Sequence, residues 1–83
     1  MMEPTIVSLI RQQMPHLDAV SPRNALPDLG FDSFSFVQLV LAIENAVGIE
    51  FADEYLSYMR FDDVGELVAY VERCASARSR GAA

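Results

Sequence analysis

Hydrophobic residues recur every three to four positions along most of this chain, a pattern typical of amphipathic helices. The spacing predicts a first helix over about 4–14. A second helix should begin at Asp32 or Ser33 and end near Val47, and a last helix should end near Cys74. No segment shows the alternation of apolar and polar residues that marks a β-strand. The predicted fold class is therefore all-α.

The segments between these helices also carry information. The connection over 15–31 holds three prolines and one glycine, and so long a loop in a compact domain is usually functional or disordered. Residues 53–59 predict a short third helix, and Asp62 is the predicted N-cap of the last helix. The side chains expected to face inward from the short helix are Tyr55, Leu56 and Met59. The predicted architecture is a four-helix bundle with three long helices and a short third helix.

Length and cysteine content limit the kinds of protein that this chain can be. Its 83 residues are enough for one domain and too few for two. We expect the domain to cover 1–74 and a disordered tail to cover 75–83, where small and polar residues leave little to bury. One cysteine excludes an internal disulfide, and one histidine excludes the usual Cys/His zinc site. No metal site is predicted.

The charge balance argues against nucleic acid as a partner. The chain has 12 acidic residues against 6 arginines, a net charge of −6, and so acidic a domain repels phosphate backbones. The longest apolar run covers 39–43, far too short to span a membrane. No basic cluster precedes an apolar stretch at the N-terminus, as it would in a signal peptide. We expect a small cytoplasmic protein that works as a monomer.

The second helix has more apolar residues than contact with a core requires. We use the name second stripe for Phe34, Val37 and Leu41, which lie on a different side of this helix from the residues suited to the core. Either the second stripe packs beneath the loop 15–31, or it is an exposed recognition surface beside Ser33, with Glu44 at its edge. The core-facing residues are predicted to be Phe36, Leu39, Val40, Ile43 and Val47.

Ser33 stands at the start of this helix, where a serine most often serves as the N-cap. Asp32 is an equally good cap, and we assign the cap to it because a capping hydroxyl would be less free to react. The chain lacks a Gly-x-Ser-x-Gly motif and has a single histidine, so a hydrolase triad, and with it any catalytic residue, is not predicted. A phosphate attached to Ser33 would be stabilised by the positive end of the helix.

Residues 28–34 read DLGFDSF, which resembles the D-L-G-x-D-S-L turn of the acyl carrier protein family. The similarity continues through the link at 47–51 and into the last helix over 61–71. It covers roughly residues 4–74, nearly the whole predicted domain. The chain is thus identified as a member of this family by a motif in its expected place between a loop and an apolar helix.

The resemblance implies a carrier protein and not an enzyme. In this family a phosphopantetheinyl transferase moves the 4′-phosphopantetheine of coenzyme A onto the motif serine, here Ser33, with Mg²⁺ supplied in the transferase. The thiol of that arm then carries an acyl or aminoacyl group as a thioester. The other implied partner is a loading ligase, synthase or transferase. The residues expected to contact partners are Asp32, Phe34, Val37, Leu41 and Glu44.

Departures from the family pattern bear on the pathway. Phe34 replaces the usual leucine, and Ser35 and Gln38 stand where fatty-acid carriers commonly have acids. These changes favour a discrete carrier of acyl intermediates in a polyketide or hybrid peptide pathway. Residues 37–39 are also similar to carriers of activated amino acids, so an aminoacyl or peptidyl carrier, of a nonribosomal-peptide or D-alanyl type, is the alternative. A helical protein-interaction domain without a prosthetic group is the second alternative.

Overall fold

The computed structural model describes the backbone of residues 2–17 and 19–81, with side chains through residue 77. Three α-helices follow one another along the chain, α1 (Glu3–Gln13), α2 (Ser33–Val47) and α3 (Val64–Gly81). Single 3₁₀ turns lie between them at Pro27–Leu29, Asp53–Tyr55 and Tyr58–Arg60. Within the described residues there is no strand, which confirms the predicted all-α class. No helix in this part of the chain is long and apolar enough to cross a membrane.

The core lies between α1 and the two longer helices. Each helix turns one stripe of aliphatic or aromatic side chains toward it, and no polar side chain is buried among the described residues. Val47 packs against the edge of the core, so the predicted core stripe of α2 is confirmed. The fully buried side chains of the helices are Ile6, Ile10, Phe36, Leu39, Val40, Ile43, Val64, Leu67 and Val71.

The segment predicted as a short third helix forms two separate 3₁₀ turns instead. Ser57 interrupts them with an extended backbone, and its hydroxyl accepts a hydrogen bond from the Met59 amide at 3.2 Å. Tyr55 packs against the core as expected. The inward orientation predicted for Leu56 and Met59 is wrong, since these side chains are 41% and 77% exposed. The extended residue breaks the helical spacing on which that prediction depended.

The loop over 15–31 crosses the start of α3. The amide of Val64 donates to the Asn24 carbonyl at 2.9 Å, and the amide of Gly65 donates to the Pro22 carbonyl at 2.8 Å. A Cβ at position 65 would lie 3.2 Å from that proline oxygen, so a glycine permits the close approach. The loop therefore supplies partners for amides that a helix start would otherwise leave unpaired.

The N-cap of α3 is Asp63, the residue after the predicted Asp62. The side chain of Asp63 accepts a hydrogen bond from the Glu66 amide at 2.9 Å. Glu66 in turn accepts from the Asp62 amide at 2.8 Å. The assignment of the cap to Asp62 is therefore wrong by one position, because the D-x-x-E spacing of a capping box starts at Asp63.

The helix α3 continues beyond the end expected from the sequence. Its backbone is helical through Gly81, whereas the prediction ended the domain at Cys74 and made 75–83 a disordered tail. Residues 82–83 lie outside the described residues. The boundary between domain and tail stays a prediction.

Candidate functional site

The turn before α2 brings residues 32–34 to the surface. Leu29 and Phe31 are buried on either side of Gly30, whose φ of 99° lies in the left-handed region. That conformation is costly for a side chain with a Cβ, so glycine is required here. The Gly30 amide closes the preceding 3₁₀ turn on the Pro27 carbonyl at 3.0 Å. The residues that follow this turn, Asp32 and Ser33, are exposed.

Asp32 is the N-cap of α2. Its Oδ1 accepts hydrogen bonds from the Ser35 amide and the Ser35 hydroxyl, both at 2.8 Å. Ser35 Oγ also accepts from the Asp32 amide at 2.9 Å, which completes a capping box. The predicted cap is confirmed, while the part played by Ser35 was not foreseen. The D-x-x-S spacing could have indicated it, since the third helical residue is the usual second member of such a box.

The capping box changes the acidity of Asp32. The Ser35 backbone amide, and after it the Ser35 hydroxyl, hold the pKa of the Asp32 carboxyl below its ordinary value of 3.8. Both groups donate to the ionised form and stabilise it. Asp32 is therefore a carboxylate at neutral pH and keeps its capping role there.

Ser33 is left free by this arrangement. It is the first residue of α2 and is exposed. Its hydroxyl makes no hydrogen bond to any residue that the structure describes. A group joined to Ser33 Oγ would project into solvent at the positive end of the helix dipole, which favours an anionic phosphate. The site fits a phosphate-linked prosthetic group.

The second stripe is exposed on the outer side of α2. The exposed fractions are 72% for Phe34, 39% for Val37 and 54% for Leu41. The interpretation in which these side chains pack beneath the loop 15–31 is therefore wrong, because that loop crosses the start of α3 instead. Three apolar side chains at helical spacing leave a continuous apolar surface that begins next to Ser33.

Glu44 has a structural contact that the sequence did not predict. Its side chain is half-buried, and Oε2 accepts a hydrogen bond from the Phe51 amide at 2.8 Å. This bond holds the link that follows α2 against the helix. The neighbouring amide of Ala52 is bound by the Tyr70 hydroxyl at 3.0 Å. Contact of Glu44 with a partner stays a prediction.

The other reactive side chains, His16 and Cys74, make no hydrogen bond to residues 32–35 in the described part of the chain. His16 is exposed in the turn after α1, and Cys74 is half-buried against the core. Among the described residues, no group of three His, Cys, Asp or Glu side chains could hold a metal ion. The exposed end of α2 is thus the candidate site.

Comparison with known proteins decides the family. The family model for the phosphopantetheine attachment site matches residues 4–71. The chain belongs to the acyl carrier protein family. Members of this family carry covalently attached 4′-phosphopantetheine, and they are carriers and not enzymes. They work with phosphopantetheinyl transferases and with enzymes that handle acyl groups.

Individual relatives agree with this assignment. The chain is 34% identical to an acyl carrier protein of Helicobacter pylori over 70 residues, which are 81% of this chain and 86% of the relative. It is 44% identical to Acyl carrier protein 3 of Ralstonia nicotianae over 55 residues, which are 66% of this chain and 59% of the relative. No solved structure gave a significant match.

Proposed function

We propose that this carrier holds acyl intermediates as thioesters on a 4′-phosphopantetheine arm attached to Ser33. The observation that carries the proposal is the division of roles at the start of α2. Asp32 and Ser35 bind each other and cap the helix, so the exposed Ser33 hydroxyl is not needed for the fold. A serine between two capping residues is available for modification without loss of the helix.

Attachment makes one phosphoester bond at Ser33 Oγ. The hydroxyl gives up its proton to a base of the transferase, and the nucleotide part of coenzyme A leaves from the same phosphorus. The positive end of the dipole of α2 stabilises the negative charge of the phosphate that stays. The attached arm supplies a terminal thiol for the thioester. Its flexibility raises the concentration of cargo at each docked enzyme.

The second stripe is the proposed docking surface for partner enzymes. Phe34, Val37 and Leu41 supply exposed apolar area directly beside Ser33. An enzyme that covers these side chains removes them from water, and it holds its active site next to the attachment point. Phe34 contributes most, since aromatic side chains supply large contact areas.

Charged groups contribute less to this docking. The proposed recognition acids, Asp32 and Glu44, each bind a backbone amide of the chain itself, that of Ser35 and that of Phe51. A carboxylate that already accepts such hydrogen bonds has fewer free lone pairs for a cation of a partner. We therefore infer that Asp32 and Glu44 steer association and that the apolar contact provides affinity.

The pathway we propose is a specialised one, of the polyketide or hybrid peptide kind. The support lies on α2, where Ser35 and Gln38 stand in place of the acids common in fatty-acid carriers. Ser35 is needed for the capping box, and Gln38 leaves the exposed surface uncharged. An aminoacyl cargo is the alternative. A trial of the protein that bears the unloaded arm, whose thiol is free, with acyl-transferring and amino-acid-activating enzymes separates the two. The expected monomeric state and cytoplasmic location stay predictions.

The test of attachment is the intact mass after incubation with coenzyme A, Mg²⁺ and a phosphopantetheinyl transferase. The parent should gain the mass of one arm, and Ser33→Ala should gain none. Ser35→Ala is the matched control in the same turn and should still gain one arm. An unmodified parent with several transferases would support the alternative of an interaction domain without a prosthetic group.

A further inference from the structure

A side chain from α1 reaches the turn that carries Ser33. Gln13, the last residue of α1, donates a hydrogen bond from Nε2 to the carbonyl oxygen of Ser35 at 2.6 Å. Gln13 is half-buried, and 22 positions separate the two residues. In the described part of the chain, no other side-chain hydrogen bond joins the first turn of α2 to a different element.

The capping box alone does not fix this turn to the rest of the domain. Asp32 and Ser35 bind each other within one turn, so these bonds would survive if the whole turn moved. The Gln13 bond joins the turn to α1, and α1 is held in the core by Ile6 and Ile10, both fully buried. Phe31 and Phe36 anchor both ends of the turn in the core, and the Gln13 bond adds a polar tie to α1 between them.

The residue after Gln13 contacts the chain on the other side of Ser33. A Cβ at Gly30 would lie 3.5 Å from Met14 Sδ, so the thioether packs beside this left-handed residue. The end of α1 thus contacts the chain before Ser33, at Gly30, and after it, at Ser35. Ser33 lies between two positions that are contacted by Gln13 and by Met14, the residue that follows α1.

We propose that Gln13 is a positioning residue for arm attachment, which holds the first turn of α2, and Ser33 with it, against the end of α1. A transferase docked on the second stripe meets the Ser33 hydroxyl at its reacting phosphorus only if the first turn of α2 stays closed on the rest of the helix. Small displacements of reacting atoms lower rates strongly. This inference rests on the proposed function of Ser33.

The test compares adjacent glutamines in the full chain. Gln12 is exposed, and its amide only reaches Ser8 Oγ within α1, at 3.5 Å. We would measure kcat and KM for arm attachment by one transferase, with the carrier varied at saturating coenzyme A. Gln13→Ala should lower kcat about fivefold, the effect typical of one lost hydrogen bond, with KM changed less than about twofold. Gln12→Ala should change neither constant by more than about twofold.

A second variant and a second readout complete the test. Gln13→Glu keeps the size of the side chain but loses the donor, and it should lower kcat at least as much as Gln13→Ala. Hydrogen exchange of the Phe36 amide, which donates to the Asp32 carbonyl, should become faster in both Gln13 variants and not in Gln12→Ala. If the parent is modified but Gln13→Ala and Gln12→Ala have equal kcat values, the positioning role of Gln13 is wrong. The proposed function of Ser33 would still stand in that case. A parent that takes no arm would overturn the proposed function itself.

Discussion

Two phenylalanines on α2 differ in what surrounds them, one in the core and one at the surface. Phe36 is fully buried, and its ring packs against Tyr58 and Phe61 at centroid distances of 6.4 Å and 6.0 Å. Phe34 lies two positions earlier and is 72% exposed. The same side chain therefore stabilises the fold on one side of the helix and only adds apolar surface on the other. Residue type alone does not separate the two roles, but position around the helix does.

The largest predicted difference is in stability between these two positions. Phe36→Ala should lower the free energy of unfolding by about 3–5 kcal/mol, because it leaves a cavity in the core. Phe34→Ala should cost less than about 1.5 kcal/mol, since its ring is mostly in water already. Urea melts of the two variants give both values.

Phe34→Ala also tests whether the exposed ring contributes to docking without contributing to stability. Phe34→Ala should slow arm attachment although the domain stays folded, because the second stripe loses its largest side chain. A melt that showed the larger stability loss for Phe34→Ala would contradict its role on the surface. An unchanged attachment rate in that variant would contradict the docking role.

The next prediction compares Asp32 with Ser33. Asp32→Ala should lower the urea midpoint, because the Ser35 amide loses its acceptor. It should also slow arm attachment without abolishing it. Ser33→Ala should leave the free energy of unfolding within about 0.5 kcal/mol of the parent, since alanine is the better helix former. If Ser33→Ala lowered the free energy of unfolding more than Asp32→Ala does, the N-cap would have to be assigned to Ser33 instead of Asp32.

The stabilising effect of the Asp32 cap should depend on pH. The folded pKa of Asp32 lies below its ordinary value of 3.8, so its contribution is fully present above pH 3.8. The contribution disappears as the pH falls through the folded pKa and the carboxylate is protonated. Melts of the parent and of Asp32→Ala should differ by a constant amount at neutral and mildly acidic pH. The difference should shrink below pH 3.8, and a difference that persisted there would contradict a carboxylate cap.

The smallest expected effect concerns the charge of Glu44. Glu44→Gln removes the charge but keeps an oxygen that accepts from the Phe51 amide, so stability should hardly change. Arm attachment should slow by less than about twofold at low salt and not at all at high salt. Glu44→Arg would lose the bond to the link as well, which makes it the less specific variant. A large salt-independent loss in Glu44→Gln would assign Glu44 a direct contact in the docked complex.

Much of this arrangement follows from spacing along the chain. The apolar pattern fixed the core side of α2, and the D-S motif with its helix start indicated Asp32 as the cap. Exposure of the second stripe was one of two interpretations. The sequence could not decide between them, because the path of the loop 15–31 depends on its hydrogen bonds to the start of α3.

The features that the sequence patterns did not predict depend mostly on contacts between residues that are distant along the chain. Gln13 reaches Ser35 across 22 positions, and no local pattern marks that bond. Glu44 binds the Phe51 amide only because the link turns back along α2. The two 3₁₀ turns that replace the short third helix depend on an extended Ser57, where propensity alone favours no break. Local sequence patterns predict helices and their caps, while tertiary contacts determine the path of the loops and the direction in which their side chains face.

We propose that residues at the start of α2 have separate roles: Asp32 and Ser35 cap the helix, and Ser33 carries the arm. The most direct test is fragmentation mass spectrometry of the peptide that contains residues 32–38 after complete modification of the parent. We expect every fragment that contains Ser33 to have the added mass, and fragments that contain Ser35 but not Ser33 to lack it. The added mass on Ser35, or on a peptide elsewhere in the chain, would contradict these separate roles.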